Sequence, residues 1–306
     1  MTMRIYTHQD CIDHAVPSGH PERPDRLIHL LKHLNDAGMT ADFPLHSAEQ
    51  ITDELVNNAH QPSYLSGLMQ HKPADGLRAL DADTWMGPQS LAAAQSAAGA
   101  VWQGVNDVLS GQTARVFCAV RPPGHHAELG SAMGFCLLNS VAIAAINALQ
   151  LPGVARVAIL DFDVHHGNGT VDLCKDNPDI LVCSSFQHPY YPGRFHDIHR
   201  PNIVNTPLPA GTSGHSFRSA IARDWWPALE AHKPDLILLS AGFDGHKDDP
   251  LAQMQLTEAD YCWLTEEIVS LAGQYCQGRI VSALEGGYDL GALSRSVETH
   301  LRALQG

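Results

Sequence analysis

Residues 156–170 read RVAILDFDVHHGNGT: an apolar run, Val157–Leu160, passes without a turn into Asp161, Asp163, His165, His166 and Asn168. A run that is apolar at successive positions, rather than at alternate ones, is what a strand covered on both faces of a parallel sheet requires. Carboxylates are seldom buried unless paired or bound to a metal. A buried strand that delivers two aspartates and two histidines at its carboxyl end therefore points to a site as well as to a fold.

Similar runs recur along the chain. RIYT (4–7), RVFCAV (115–120), DILVCSSF (179–186), DLILLSAG (235–242) and RIVSALEGG (279–287) are short and apolar, like RVAILDFD (156–163). Helical patterns lie between them. Leu27, Leu30, Leu31 and Leu34 follow the spacing of one helix face, and Gly38 supplies a stop. Thr257 with Asp260 three residues on is a capping-box start, and residues 215–232 and 290–304 are helical in pattern. The alternation predicts an α/β protein: one domain over 1–306, with a mainly parallel central sheet flanked by helices and the active site at the carboxyl ends of the strands. Residues 187–214 are expected to form a long, loop-rich insertion; long loops in compact domains tend to be functional.

Composition excludes several classes. Nineteen Lys and Arg stand against 33 Asp and Glu, a formal charge of −14, with no basic run to bind nucleic acid directly. The start MTMRIYTHQD turns polar at once, unlike a signal peptide. LAAAQSAAGAVWQGVNDVL is the nearest approach to a membrane span and is interrupted by polar residues, so no membrane association is expected. Seven cysteines, an odd number with no C-x-x-C pair, argue against a disulfide scaffold or a cysteine zinc site and suit a reducing cytoplasm.

Four strand ends carry polar clusters: RPPGHHAE, DFDVHHGNGT, FDGHKDDP and EGGYD. Asp163 and His165, at i and i+2 of an extended backbone, point the same way. With Asp244 they make a three-ligand set with an open position, of the catalytic zinc type; its oxygen content also admits Fe²⁺. Any one of these residues alone is more often a turn or cap residue; their convergence on strand ends is what favours a metal. His125 and His126 beside a metal suit proton transfer, with Asp161 and Asn168 available to orient them. For the histidines taken alone, a structural pair is an equal reading. Tyr288, after two glycines, can donate to a developing oxyanion, although G-G-Y is also a common turn. Phe135 and Tyr191 can line an apolar channel or simply belong to the core.

These motifs, in order from HPERPDRL (20–27) through GFCLLNSVA and SAGFDGHKDDP to EGGYDL, resemble the histone deacetylase family of the arginase–deacetylase fold, and the likeness covers most of the chain. Asn168, where class I members carry Asp, is similar to class II and its bacterial relatives. The resemblance implies Asp163, His165 and Asp244 as ligands of Zn²⁺. It implies His126 as general base and acid with Asn168 as its partner, and His125, held by Asp161, as a second histidine that stabilises transition-state charge. Tyr288 matches the oxyanion donor, and Gly134, Phe135 and Tyr191 match the channel wall. A structural potassium site would take Asp161, the backbone oxygens of Asp163 and His165, and Ser184. His166 is left over and is expected to be structural.

The implied reaction is attack of a metal-bound water on an acyl amide, which releases the acid and a free amine. The substrate is an acylated lysine of a protein or peptide, or alternatively an acetylpolyamine. Acetylpolyamine-hydrolysing relatives can place a glutamate seven residues after the last metal ligand; Leu251 stands there and resembles the lysine deacetylases. A non-catalytic acyl-lysine reader would have lost a ligand, the histidine pair or the tyrosine, and none is lost. A binuclear arginase-like hydrolase would need further aspartates around one cavity.

Overall fold

The computed structural model describes residues 3–306; Met1 and Thr2, the first two residues of the polar N-terminal stretch, lie outside them. The strands in chain order are β1 (Arg4–Thr7), β2 (Leu45–Ser47), β3 (Arg78–Ala79), β4 (Trp85–Met86), β5 (Arg115–Cys118), β6 (Val157–Asp161), β7 (Ile180–Gln187), β8 (Ile203–Leu208), β9 (Leu236–Ala241) and β10 (Ile280–Leu284). Eight of them form one sheet in the order β2-β1-β5-β10-β9-β6-β7-β8, and β3 with β4 makes a small antiparallel ribbon. Every neighbouring pair in the large sheet is parallel. The mainly parallel α/β architecture expected from the buried runs is thus the one observed.

All five residues of β6, of β10 and all six of β9 are buried. Helices cover both faces, so these strands need apolar side chains on each side. The helix Ser90–Leu109 contains the Ala-rich stretch; most of its length is buried against the sheet, and no helix among the described residues is long and apolar enough to cross a membrane. The helix Asp25–Asp36 buries Leu27, Leu30 and Leu34, and Gly38 follows it in the left-handed region at φ +73°. Thr257 and Asp260 form the capping box that starts the helix Glu258–Tyr275. All seven cysteines are free thiols.

The 187–214 segment departs from expectation, because it contains strand β8. Pro207 obscures it in the sequence, but β8 is the outermost strand, where a missing backbone donor is tolerated. Strands β2, β3 and β4, of two or three residues each, are too short to show a period.

The four neighbouring strands β5, β10, β9 and β6 carry the four polar clusters. A buried ion cluster fixes one of these ends. Glu22, Arg26 and Arg121 have no solvent exposure. Glu22 accepts from Arg121 Nη2 at 2.8 Å and from Arg26 Nη1 at 3.1 Å. Arg26 in turn donates to the backbone carbonyls of Glu285 and Gly287, both at 2.6 Å, so the first turn of the helix Asp25–Asp36 clamps the Gly-Gly turn that follows β10.

Burial opposes charge on Glu22, but Arg121 and Arg26 outweigh it and hold its carboxyl down at about 2, against an ordinary 4.5. A depressed folded value means that the stabilisation is complete above the unfolded value and fades as pH falls toward the folded one. Glu22→Gln should therefore cost about 3–5 kcal/mol at pH 7, the cost of breaking a buried pair. In denaturant titrations, the gap from wild type should narrow as pH drops from about 4.5 toward 2; a gap independent of pH would contradict the assignment.

Candidate active site

Asp161 is the last residue of β6, and Asp163 and His165 follow it in the turn before the helix Asn168–Cys174, which Asn168 opens. Asp244 follows β9, and Glu285 through Tyr288 follow β10. Parallel strands deliver all of these to one edge, and the donor atoms of Asp163, His165 and Asp244 lie within 4.8 Å of one another, buried.

Each carboxylate uses its two oxygens differently. Asp163 Oδ2 accepts from Gly286 N at 2.8 Å, and Asp244 Oδ1 from Val164 N at 2.9 Å. The other oxygens, Asp163 Oδ1 and Asp244 Oδ2, sit 3.0 and 3.1 Å from His165 Nδ1. Donors about 2.0–2.1 Å from a tetrahedral zinc are separated by about 3.3 Å, so the three atoms need little adjustment to share one ion. The electrostatics agree. Burial and the charge of Asp163 push Asp244 up to about 7. Burial disfavours the His165 cation, but its bonds to Asp163 and Asp244 outweigh that and raise it to about 10. The pocket is short of positive charge, and a divalent cation fits the donor set.

Gly286 is required by this packing: a Cβ there would lie 2.2 Å from Asp244 Oδ2 and 2.5 Å from Asp163 Oδ2.

The two histidines lie side by side next to the triad, with ring centroids 4.0 Å apart and planes tilted by 42°, and His126 is 5.9 Å from His165. His125 Nδ1 meets Asp161 Oδ2 at 2.9 Å, and His126 Nδ1 meets Asn168 Oδ1 at 2.6 Å. Their environments drive them apart. Burial disfavours charge on His125, yet Asp161 and Asp163 overcome it and hold the ring well above the ordinary imidazole value. Burial, joined by the charges of His125 and His165, drives His126 well below it. Neighbouring groups with opposed shifts are the usual basis for one acid and one base.

Around them stand the aromatic residues. Tyr191 lies edge-on to His126 at 5.3 Å and to His165 at 6.0 Å, while Tyr190 stacks on His165 at 5.5 Å. Phe135 is 6.0 Å from the Tyr288 ring and 4.7 Å from His20. Gly134 and Phe135 both have positive φ, +57° and +69°. A Cβ at Gly134 would strike His126 Cδ2 at 2.3 Å, so glycine lets the wall close on the imidazole. The phenol of Tyr288, raised well above its ordinary value by burial and by Asp244, stays protonated; Arg26 sits 4.9 Å above the ring. Leu251 touches this region through its carbonyl, which accepts from the Tyr190 hydroxyl. Ser184 faces Asp161 across β6 and β7. His166 is turned away, with Nε2 2.9 Å from Asn205 Oδ1.

Several supporting residues escaped the sequence reading, although two of them, Glu285 and Asp249, lie inside the quoted motifs. Glu285, pushed up to about 7 chiefly by burial, accepts from Gly124 N at 2.6 Å and His125 N at 3.2 Å and so holds the histidine loop. Asp249 accepts from Tyr288 N at 2.7 Å. Thr84 Oγ1 accepts from Phe135 N at 3.0 Å. An acid within a strand-end motif that is left without a role was the available signal.

The comparisons with known proteins agree. The family model described as histone deacetylase domain matches residues 20–304. An uncharacterised protein of Synechocystis sp. is 41% identical over 99% of this chain and 99% of its own length. The type-2 histone deacetylase 2 of Dictyostelium discoideum is 36% identical over 99% of this chain, which spans only 21% of that longer protein. The crystal structure of the HDA15 HD domain superposes with a TM-score of 0.91 at 31% identity, covering 99% of this chain and 88% of that one.

Adding zinc to the metal-free protein should raise Tm by the linkage of binding to folding. Asp244→Asn keeps an acceptor for Val164 N and removes one of two facing charges. It should leave the metal-free Tm unchanged or higher and abolish the zinc-induced rise; a rise equal to that of wild type would remove Asp244 from the ligand set.

Proposed function

The chain belongs to the histone deacetylase family, and we propose that residues 1–306 form one catalytic domain that removes acetyl or other acyl groups from the ε-amine of lysine in proteins or peptides. The observation that carries this reading is the placing of two adjacent imidazoles beside a buried three-donor set, His125 with Nδ1 on Asp161 and His126 with Nδ1 on Asn168. Asp163, His165 and Asp244 would hold Zn²⁺, with Fe²⁺ as the alternative. When bound, such an ion supplies Lewis acidity toward the acyl carbonyl and the attacking water.

The chain's own residues supply the rest. His126, with Nδ1 engaged by Asn168, offers Nε2 to take a proton from water and later returns one to the leaving amine. His125, kept charged by Asp161, offsets the negative charge that develops nearby. Tyr288 donates its phenolic hydrogen to the oxyanion. Gly134, Phe135 and Tyr191 wall the approach along the aliphatic stem of the lysine, with Leu251 at its side in place of an acid. Asp161 and Ser184, with the carbonyls of Asp163 and His165, offer the oxygen donors of a potassium site.

Parallel assays of the metal-reconstituted protein on an acetyl-lysine peptide and on acetylputrescine test the substrate. A higher kcat/KM on the peptide is expected; preference for acetylputrescine would transfer the assignment to acetylpolyamines, and no turnover of either with metal bound would end it. Tyr288→Phe should lower kcat by roughly 10²–10³, as for loss of an oxyanion donor, while metal affinity is retained. Near-normal turnover would deny Tyr288 that role.

A further inference from the structure

Beyond the His126–Asn168 contact the polar chain continues. Asn168 Nδ2 donates to Glu128 Oε1 at 2.8 Å, and it also faces the His126 carbonyl at 3.4 Å and Met133 Sδ at 3.2 Å. All three neighbours are acceptors. An amide turned the other way would aim its oxygen at a carboxylate, a carbonyl and a thioether, so the amide orientation is set by its surroundings. Oδ1 must then face His126 Nδ1, and that contact at 2.6 Å is a hydrogen bond only if Nδ1 carries the hydrogen. The tautomer with a free Nε2 follows.

Glu128 is the strongest of the three acceptors, since hydrogen bonds to a charged group are the stronger kind. It is buried, and its own position is over-determined. Arg194 grips it in a fork, Nε to Oε1 and Nη2 to Oε2, both at 2.9 Å, and Ser131 Oγ approaches Oε2 at 3.4 Å. The Arg194 side chain is 55% exposed and stands on the same segment as Tyr190 and Tyr191.

We propose that Glu128 is a positioning residue: it fixes the amide of Asn168 and through it the tautomer of His126, and Arg194 ties that control to the segment that walls the pocket. The inference rests on the reading of His126 as the proton carrier. An aspartate in place of Asn168 would accept through either oxygen and need no orienting partner, whereas an asparagine does. Glu128 is thus the complement that makes asparagine serviceable at this position.

Steady-state kinetics of single and double variants test this. Glu128→Ala should lower kcat about tenfold, within the range for loss of a residue that orients an active group, with KM within about twofold of wild type; Glu128→Gln, which keeps one acceptor, should fall between. Asn168→Asp should lower kcat while Glu128 is present, because it sets a second carboxylate against that of Glu128, and raise kcat in the Glu128→Ala background. A merely structural defect would not be rescued in this way, and an equal factor in both backgrounds would overturn the proposal. Ring-nitrogen NMR of zinc-loaded, ¹⁵N-histidine-labelled protein, with the His126 signal identified by its loss in His126→Ala, reads the tautomer without turnover. The wild type should show a protonated Nδ1 and Glu128→Ala a mixture; an unchanged tautomer in Glu128→Ala would also overturn it. Absence of hydrolysis by wild type would defeat the deacylase reading alone, because the tautomer measurement stands apart from it.

Discussion

Two carboxylates and an imidazole buried within 4.8 Å of one another are unfavourable for the polypeptide by itself. The raised value of Asp244, an acid driven toward its neutral form, is the signature of that cost, whereas His165 is raised because its bonds to the two carboxylates outweigh burial. A site of this kind persists only if the backbone leaves it no alternative. Here the main chain provides that constraint directly, since Gly286 N and Val164 N each take one oxygen of a carboxylate and leave the other turned toward His165.

The constraint propagates outward through charged groups that never meet solvent. Glu22 joins Arg26 and Arg121, and Arg26 holds the carbonyls on either side of Gly286. Glu285 and Asp249 do the same for the loops that carry His125 and Tyr288, each by accepting from backbone N–H groups. The catalytic face is therefore built from loops whose geometry is imposed by side chains from distant parts of the chain. Isolated buried ion pairs seldom add net stability over apolar packing. Their value here lies in directional bonds to specific carbonyls and amides, which an apolar replacement would not supply.

The histidine pair shows how environment divides two chemically identical groups. Asp161 and Asp163 pull His125 above the ordinary imidazole value against burial, whereas His126, which faces an uncharged amide, is pushed below it by burial and by His125 and His165. A family reaction that moves a proton needs this asymmetry, because a ring already protonated cannot accept. The choice of asparagine over aspartate beside His126 shifts the task of orientation onto Glu128.

Much of this was legible in the sequence. Unbroken apolar runs such as Val157–Leu160 specify strands buried on both faces, and their regular alternation with helices specifies a parallel sheet. A polar cluster directly after such a run marks the carboxyl edge, so Asp163, His165, Asp244, the histidine pair and Tyr288 could be named from local pattern alone. The short edge strands could not, because two or three residues carry no period, and β8 was hidden by a proline that only an edge position tolerates. Nor could the roles of Glu22, Arg26, Glu128 and Glu285 be read, although each lies in a visible motif. A charged residue in a sequence has no stated partner; burial and distance assign one, and both are properties of the folded chain. The sequence determined which groups arrive at the edge of the sheet, because strand direction and periodicity are local. The tertiary structure decided which of them meet, because hydrogen bonds between residues 22 and 121, or 128 and 194, exist only after the chain has closed on itself.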